Sequence, residues 1–150
     1  MTVEVSNFKS FSKYANSDSE SHLVGPFTNF TGIIGPNGVG KSNIFDAIAY
    51  CLNMSLAPGK IRHARDLAHR LERINAEAAS DDSQSFEFFV KLNFLKTNLK
   101  THKQEKLCIQ RGLKKKEGDD SYFNEYIINE DADRPLLYEE YNKIIQSVHH

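Results

Sequence analysis

The sequence is poor in cysteine and in long apolar runs, and each shortage excludes a class of protein. Its longest apolar stretches are short and interrupted by charged residues, so we expect no transmembrane helix. The opening residues MTVEVSNFKSF contain no apolar core and no cleavage-site pattern, so we expect no secretory signal. The two cysteines, Cys51 and Cys108, form no CxxC motif. We expect buried thiols in a reducing compartment rather than a disulfide.

Net charge is also nearly absent, at −1, so the total gives no signal for nucleic-acid binding. The distribution is uneven, because residues 96–116 hold eight Lys and Arg against one acid, whereas residues 117–140 hold nine acids against Arg134. This pattern fits a DNA-binding surface beside a repelling one, or a solvated hairpin whose charges compensate each other. Charge alone favours the hairpin.

What is present is an ordinary soluble composition, with 39% hydrophobic and 26% charged residues in 150. That balance excludes a disordered chain, a collagen and a coiled coil. The length is enough for one domain with a core of its own.

Hydrophobic periodicity predicts a mixture of strands and helices. In the first half it predicts strands over 3–6, 23–27 and 28–34, a helix over 41–52, and a second helix within 60–79. On the first helix we expect a buried face of Ile44, Phe45, Ala47, Ile48, Cys51 and Leu52.

The second half predicts an alternating strand over 86–94, two further strands around 107–109 and 122–128, and a closing helix over 135–148. A long polar turn is expected over 112–121, between the last two strands. For the closing helix we expect a buried face made of Leu137, Tyr138, Tyr141, Ile144, Ile145 and Val148.

One motif carries chemistry. The segment GPNGVGKS fits the phosphate-binding pattern G-x-x-x-x-G-K-[ST] without deviation, and it stands between a predicted strand and a predicted helix. Its residues are Gly35, Pro36, Asn37, Gly38, Val39, Gly40, Lys41 and Ser42.

The residue types of this loop suit a nucleotide bound with magnesium. Glycines let the backbone approach phosphates closely, so that successive N–H groups point inward, and the following helix adds the positive end of its dipole. Lys41 supplies a charge to the β- and γ-phosphates, and the Ser42 hydroxyl is a ligand for Mg²⁺. We take the nucleotide to be ATP, because no guanine-reading motif is found.

The sequence lacks a recognisable second acidic motif for hydrolysis (Walker B). Such an acid would end an apolar strand, but Asp81-Asp82 precede a linker and Asp119-Asp120 lie in the polar turn. Phosphoryl transfer needs an acid on Mg²⁺ and a group that orients water. We therefore predict that the chain alone does not hydrolyse ATP.

Residues 31–52, TGIIGPNGVGKSNIFDAIAYCL, resemble the N-terminal head segment of the SMC (structural maintenance of chromosomes) ATPases. The resemblance depends on Asn43 directly after the motif serine, on Asp46-Ala47-Ile48, and on Arg65-Asp66-Leu67 with His69. The LVGPF segment and the pattern YFNEYIIN…LLYEEYNKII are similar to a cohesin subunit of that family. The loop at 15–22 and the stretch at 96–106 are longer than is usual there, and residues 53–64 align poorly.

The resemblance implies an α/β fold of the P-loop NTPase type, an ABC-type ATPase head. Residues 1–150 would form a single N-terminal head segment with an antiparallel β layer, packed helices and an incomplete parallel core. The coiled coil, the hinge and the C-terminal segment with the signature motif and Walker B would lie outside these residues.

The same resemblance implies the site residues and partners. Residues 35–42 and Asn43 would bind ATP, with Ser42 on Mg²⁺. Arg62 or Arg65 would belong to the family's arginine-bearing loop, and Lys114, Lys115 and Lys116 would contact DNA. Implied partners are the C-terminal head segment, a second SMC subunit and a kleisin, on chromosomes in the nucleus if the chain is a eukaryotic cohesin.

The sequence is also compatible with two other functions. A DNA-repair ATPase of the RecF or RecN type would carry the same loop with a different downstream sequence. A non-catalytic nucleotide-binding or interaction module would hold a nucleotide or a partner without turnover.

Overall fold

The fold centres on a five-stranded sheet with the order β2-β1-β3-β4-β5, in which every pairing is antiparallel. The computed structural model describes residues 1–12, 21–54, 63–69, 86–97, 102–129 and 136–148. Within them the elements are β1 (Thr2–Ser6), β2 (His22–Val24), α1 (Lys41–Cys51), a 3₁₀ helix (Ala64–Leu67), β3 (Phe88–Thr97), β4 (Gln104–Lys115), β5 (Tyr122–Ile128) and α2 (Tyr138–Val148).

The central strand β3 has the alternation that the sequence predicts. Phe88, Val90 and Leu92 are buried, because successive side chains of a strand point to opposite faces. Val5 pairs with Val90 and Val3 with Leu92, so β1 adds its own apolar residues to the same face. This face of the sheet forms the base of the core.

Helix α1 covers that face, with Ala47 and Cys51 fully buried. Tyr50, which was not expected in the core, is 4% exposed, and its ring centroid lies 5.5 Å from that of Phe88. The prediction for Phe45 is wrong, since its side chain is 62% exposed. At 3.6 residues per turn Phe45 points to the side of α1 opposite Ala47, Tyr50 and Cys51, and these three residues form the stripe that the sheet covers.

The β4–β5 hairpin has a shorter turn than predicted. Strand β4 continues to Lys115 and β5 begins at Tyr122, so Lys114 and Lys115 lie in a strand. Gly112 allows β4 to approach β3 closely, because a Cβ at this position would come within 2.5 Å of the Phe88 carbonyl oxygen.

The predicted strand over 28–34 does not form. Thr28 bonds within its own turn, where its backbone N–H donates to the Thr31 hydroxyl at 2.9 Å. Phe30 is 94% and Ile34 97% exposed. A strand needs a neighbour for its backbone N–H and C=O groups, and no described strand pairs with this segment.

The predicted helix within 60–79 is described only at 63–69, and there the prediction is wrong. A short 3₁₀ helix covers Ala64–Leu67, and Ala68 is extended and bridges to Phe8. Asp66 accepts a hydrogen bond from the His63 backbone N–H at 3.0 Å, which fixes the start of this turn. Residues 60–62 and 70–79 lie outside the described residues.

The closing helix α2 begins at Tyr138, and Glu140 accepts a hydrogen bond from the Leu137 backbone N–H at 3.2 Å. Tyr141 and Ile145 are buried as predicted. The prediction is wrong for Leu137 and Tyr138, which are exposed. Leu137 precedes α2, and the Tyr138 ring contacts the Tyr126 ring at a centroid distance of 5.9 Å without being covered.

The predicted antiparallel layer with packed helices is confirmed for the described residues. The parallel core is not represented among their strand pairings and stays a prediction. The helices in the described part of the chain are too short and too polar to cross a bilayer.

Candidate nucleotide-binding site

The glycine-rich loop leads directly into α1 and is open to solvent. Gly38 and Gly40 have φ values of 84° and 91°, in the left-handed region that residues with a Cβ rarely adopt. Gly40 is the N-cap of α1, so the loop ends where the backbone N–H groups of the helix are unpaired. Pro36, Asn37 and Val39 are exposed between these positions.

Lys41 closes the loop from the helix side. Its ammonium group donates hydrogen bonds to the carbonyl oxygens of Gly35 at 2.7 Å and Pro36 at 2.5 Å. The first turn of α1 contains no acidic residue, so nothing there neutralises the positive end of the helix dipole. A lysine charge, a helix N-terminus and positive-φ glycines together fit the phosphate chain of a nucleotide.

Ser42 lies in the same first turn and is exposed, which suits a hydroxyl that contributes one ligand to Mg²⁺. Within the described residues no three His, Cys, Asp or Glu side chains form a metal cluster. Magnesium bound here would take its remaining oxygens from phosphates, water and a carboxylate of the kind that a Walker B acid supplies.

Asn43, predicted among the nucleotide-binding residues, points its amide to a neighbouring loop. Its Nδ2 donates to the Ser10 hydroxyl at 2.8 Å. One turn later Asp46 forms an ion pair with Lys9 at 2.5 Å. Neither contact was predicted, since each joins residues more than thirty positions apart and the sequence carries no signal for it.

Arg65 is exposed on the 3₁₀ helix. The backbone N–H of Lys9 donates to the Leu67 carbonyl at 2.7 Å, so the segment that bears Arg65 connects through Lys9 to α1. Arg62, the alternative candidate, lies outside the described residues.

The candidate DNA contacts are partly compensated within their hairpin. Lys114 pairs with Glu125 at 3.3 Å and Lys115 with Asp120 at 2.9 Å. The Lys116 side chain is exposed, and its backbone N–H donates to Ser121 across the turn. These contacts favour the interpretation of the charge pattern as a solvated hairpin, and DNA contact stays a prediction.

Arg111, also part of the basic stretch, does not join a basic surface. Its guanidinium lies 4.1 Å from the centroid of the Tyr50 ring and donates to the Tyr50 carbonyl at 2.8 Å. Cys51 beside it is a free, buried thiol, and burial raises the pKa of this thiol to about 12. A thiol with such a pKa is not a nucleophile at neutral pH. Cys108 is also a buried thiol that forms no disulfide, so the prediction of two core thiols is confirmed.

The loop, the charge at its entrance and the following helix define the class: a P-loop nucleotide-binding segment of the NTPase type. Comparison with known proteins agrees. The family described as RecF/RecN/SMC N terminal domain matches residues 1–148, and the chain belongs to this family as an N-terminal head segment of the SMC type.

The relatives are chromosomal proteins. The chain is 46% identical over 68 residues to "Structural maintenance of chromosomes protein 1" of Caenorhabditis elegans, a match to 45% of this chain and 5% of the relative. It is 36% identical over 97 residues to the protein of the same name in Schizosaccharomyces pombe, a match to 63% of this chain and 7% of the relative. A third relative is "Chromosome partition protein Smc" of Xanthomonas oryzae, 46% identical over 56 residues, or 37% of this chain and 4% of the relative. The chain thus matches a small part of the length of each.

Proposed function

We propose that the chain is the ATP-binding segment of a chromosome-organising SMC ATPase of the cohesin type. The observation that carries the proposal is the geometry around Lys41, whose ammonium lies against the carbonyls of Gly35 and Pro36 at the start of an unneutralised helix. ATP would bind over residues 35–43 with Mg²⁺ on Ser42.

The cohesin assignment is the finer part of the proposal. It depends on the LVGPF segment, of which residues 23–24 belong to β2, and on the YFNEYIIN pattern, which forms β5 and its end. Relatives that bear the name "Structural maintenance of chromosomes protein 1" support it. The competing outcome is a role in chromosome condensation, since the relative "Chromosome condensation protein dpy-27" of Caenorhabditis elegans is 41% identical over 63 residues, or 41% of this chain and 4% of the relative.

We further propose that the head is completed by a C-terminal segment carrying the signature motif and Walker B. The segment over 28–34 supports this, because it has a strand-like sequence, is exposed at Phe30 and Ile34, and has no neighbour among the described strands. On this proposal the chain is inactive as an ATPase by itself. A second SMC subunit, a kleisin and DNA are its further partners, in the nucleus on chromosomes.

The test measures ATP binding and hydrolysis by this chain, alone and mixed with a separately expressed C-terminal head segment of a related SMC protein. Lys41→Ala is the control. We expect it to weaken ATP binding at least tenfold, since a charge-assisted hydrogen bond contributes about 1.5–3 kcal/mol and 1.4 kcal/mol is about tenfold.

Hydrolysis that appears only in the mixture and is lost with Lys41→Ala would support a split ATPase head. Tight ATP binding that the added segment leaves unchanged, without turnover, would favour a non-catalytic binding module. Equal binding by wild type and Lys41→Ala would refute the assignment of the site.

A further inference from the structure

A tight loop at Asn7–Phe11 follows β1 and lies against the glycine-rich loop. The backbones of Phe8 and Phe11 exchange two hydrogen bonds, each of 2.8 Å. Asn7 and Lys9 have φ values of 52° and 51°, in the left-handed region. Non-glycine residues persist there only when their surroundings hold them, and such positions concentrate at functional sites.

Three kinds of contact hold the Asn7–Phe11 loop in place. The Asn7 amide donates to the Glu87 carbonyl at 2.8 Å, at the start of the central strand. The Lys9 backbone N–H donates to Leu67 at 2.7 Å. The Phe8 ring is fully buried, with centroid distances of 5.9 Å to Tyr50 and 5.6 Å to Phe88. The loop is therefore anchored in the core, independently of the nucleotide site.

From this anchored position the loop contacts the phosphate-binding loop at its last glycine. The Ser10 hydroxyl accepts a hydrogen bond from Asn43 at 2.8 Å. A Cβ on Gly40 would come within 2.4 Å of the same hydroxyl oxygen, so the serine lies directly against the Gly40 backbone. Lys9 holds Asp46, one helical turn beyond Asn43.

We infer that Ser10 is a positioning residue for nucleotide binding. By its contacts with Asn43 and Gly40 it restrains the backbone where the phosphate-binding loop leads into α1, because Ser10 itself belongs to a loop that is fixed in the core. The expected effect of Ser10 on ATP affinity rests on the proposed function. Its expected effect on the loop, which is to restrain residues Gly38–Asn43, does not depend on that function. Preorganised N–H groups bind phosphate better than mobile ones, because less ordering is left to the ligand.

The first experiment measures the ATP dissociation constant of the full chain by titration with a fluorescent ATP analogue. Ser10→Ala and Asn43→Ala each remove one partner of the hydrogen bond, and we expect each to weaken binding about fivefold, as for one hydrogen bond of about 1 kcal/mol. The double variant should bind ATP no more weakly than the weaker-binding single variant, because the two substitutions remove the same hydrogen bond. Ser10→Thr keeps the hydroxyl and should restore binding.

Ser12→Ala is the matched control, because it also removes a serine hydroxyl, two residues further along the chain. The Ser12 hydroxyl lies 3.4 Å from the His22 ring and not against the phosphate-binding loop. We expect unchanged affinity. Independent losses that multiply in the Ser10→Ala, Asn43→Ala double variant, or unchanged affinity in Ser10→Ala, would overturn the inference.

The second experiment separates this inference from the proposed function. Amide hydrogen exchange of residues 38–43 in the absence of nucleotide should be faster in Ser10→Ala than in wild type, and unchanged in Ser12→Ala. If the wild-type chain binds no ATP, the proposed function fails, and the exchange rates alone then test whether Ser10 restrains the loop. Equal exchange in Ser10→Ala and wild type would overturn the positioning role.

Discussion

At the scale of single residues, the C-terminal end of α1 is closed by side chains from distant elements. A helix leaves its last carbonyls without intrahelical partners. Here Tyr50 O accepts from Arg111 of β4, and Cys51 O accepts a hydrogen bond from the Tyr141 hydroxyl of α2. The two ends of the same helix thus have different surroundings, because the N-terminus faces solvent and the C-terminus is bonded into the core.

This buried cluster makes stability fall at high pH. Burial raises the pKa of Cys51 to about 12 and that of Tyr50 to about 12, and it also raises the pKa of Tyr141. Above pH 9 the unfolded chain loses these protons while the folded chain keeps them. We therefore expect the contribution of these three groups to be constant below about pH 8, and the free energy of unfolding to fall between pH 9 and 12 by up to ~1.4 kcal/mol per pH unit per group.

Urea unfolding followed by circular dichroism at each pH measures this fall. Cys51→Ala removes one group, so its slope between pH 9 and 10, where the thiol of the unfolded chain titrates first, should be shallower than that of wild type. A wild-type stability that stays level to pH 11 would contradict the expected linkage.

At the scale of elements, the sequence predicts those helices and strands whose formation depends on the local pattern of apolar residues. The alternation of β3 and the helical spacing of α1 each describe one buried face, and both elements form close to the predicted bounds. The segment over 28–34 has an equally good strand pattern and yet forms none, because a strand also depends on neighbours that its own residues do not encode. The 3₁₀ turn at Ala64–Leu67 likewise depends on the distant bridge between Ala68 and Phe8.

The candidate site divides in the same way. The phosphate-binding loop is contiguous, so its glycines, Lys41 and Ser42 can be read from the motif alone. Ser10 cannot, because its role comes from a contact across 33 positions with Asn43 and from the approach of its hydroxyl to Gly40. Only the fold brings these residues together.

The close approach of β3 and β4 gives a prediction at the same scale. Gly112→Ala places a methyl group against the Phe88 carbonyl oxygen and the Phe89 Cβ, so the two strands must separate. We expect a loss of about 1–3 kcal/mol in the free energy of unfolding, as for other overpacked positions. Gly32→Ala is the control, because a Cβ there meets no atom within 4 Å and the change should stay within about 0.5 kcal/mol. Equal denaturation midpoints for the two variants in urea would contradict this account.

At the scale of the whole molecule, apolar residues are distributed between a closed core and an open segment. The core unites the sheet, α1 and α2 through Val5, Leu92, Cys51 and Tyr141. By contrast Phe30, Ile34 and Val39 are each more than half exposed along the approach to the phosphate-binding loop. Large exposed apolar segments of this kind mark contact surfaces or promote association.

We therefore expect the isolated chain to self-associate through this segment. Sedimentation velocity at increasing concentration should show species larger than the 17.1 kDa monomer. Phe30→Ser with Ile34→Ser should shift the distribution towards monomer, because both side chains are almost fully exposed and contribute nothing to the core. Leu137→Ser is the matched control, since this side chain is 73% exposed but lies outside the segment, before α2. A wild-type chain that stays monomeric at all concentrations would refute the expectation, and an equal shift in Leu137→Ser would show that general hydrophobicity, rather than the segment, drives association.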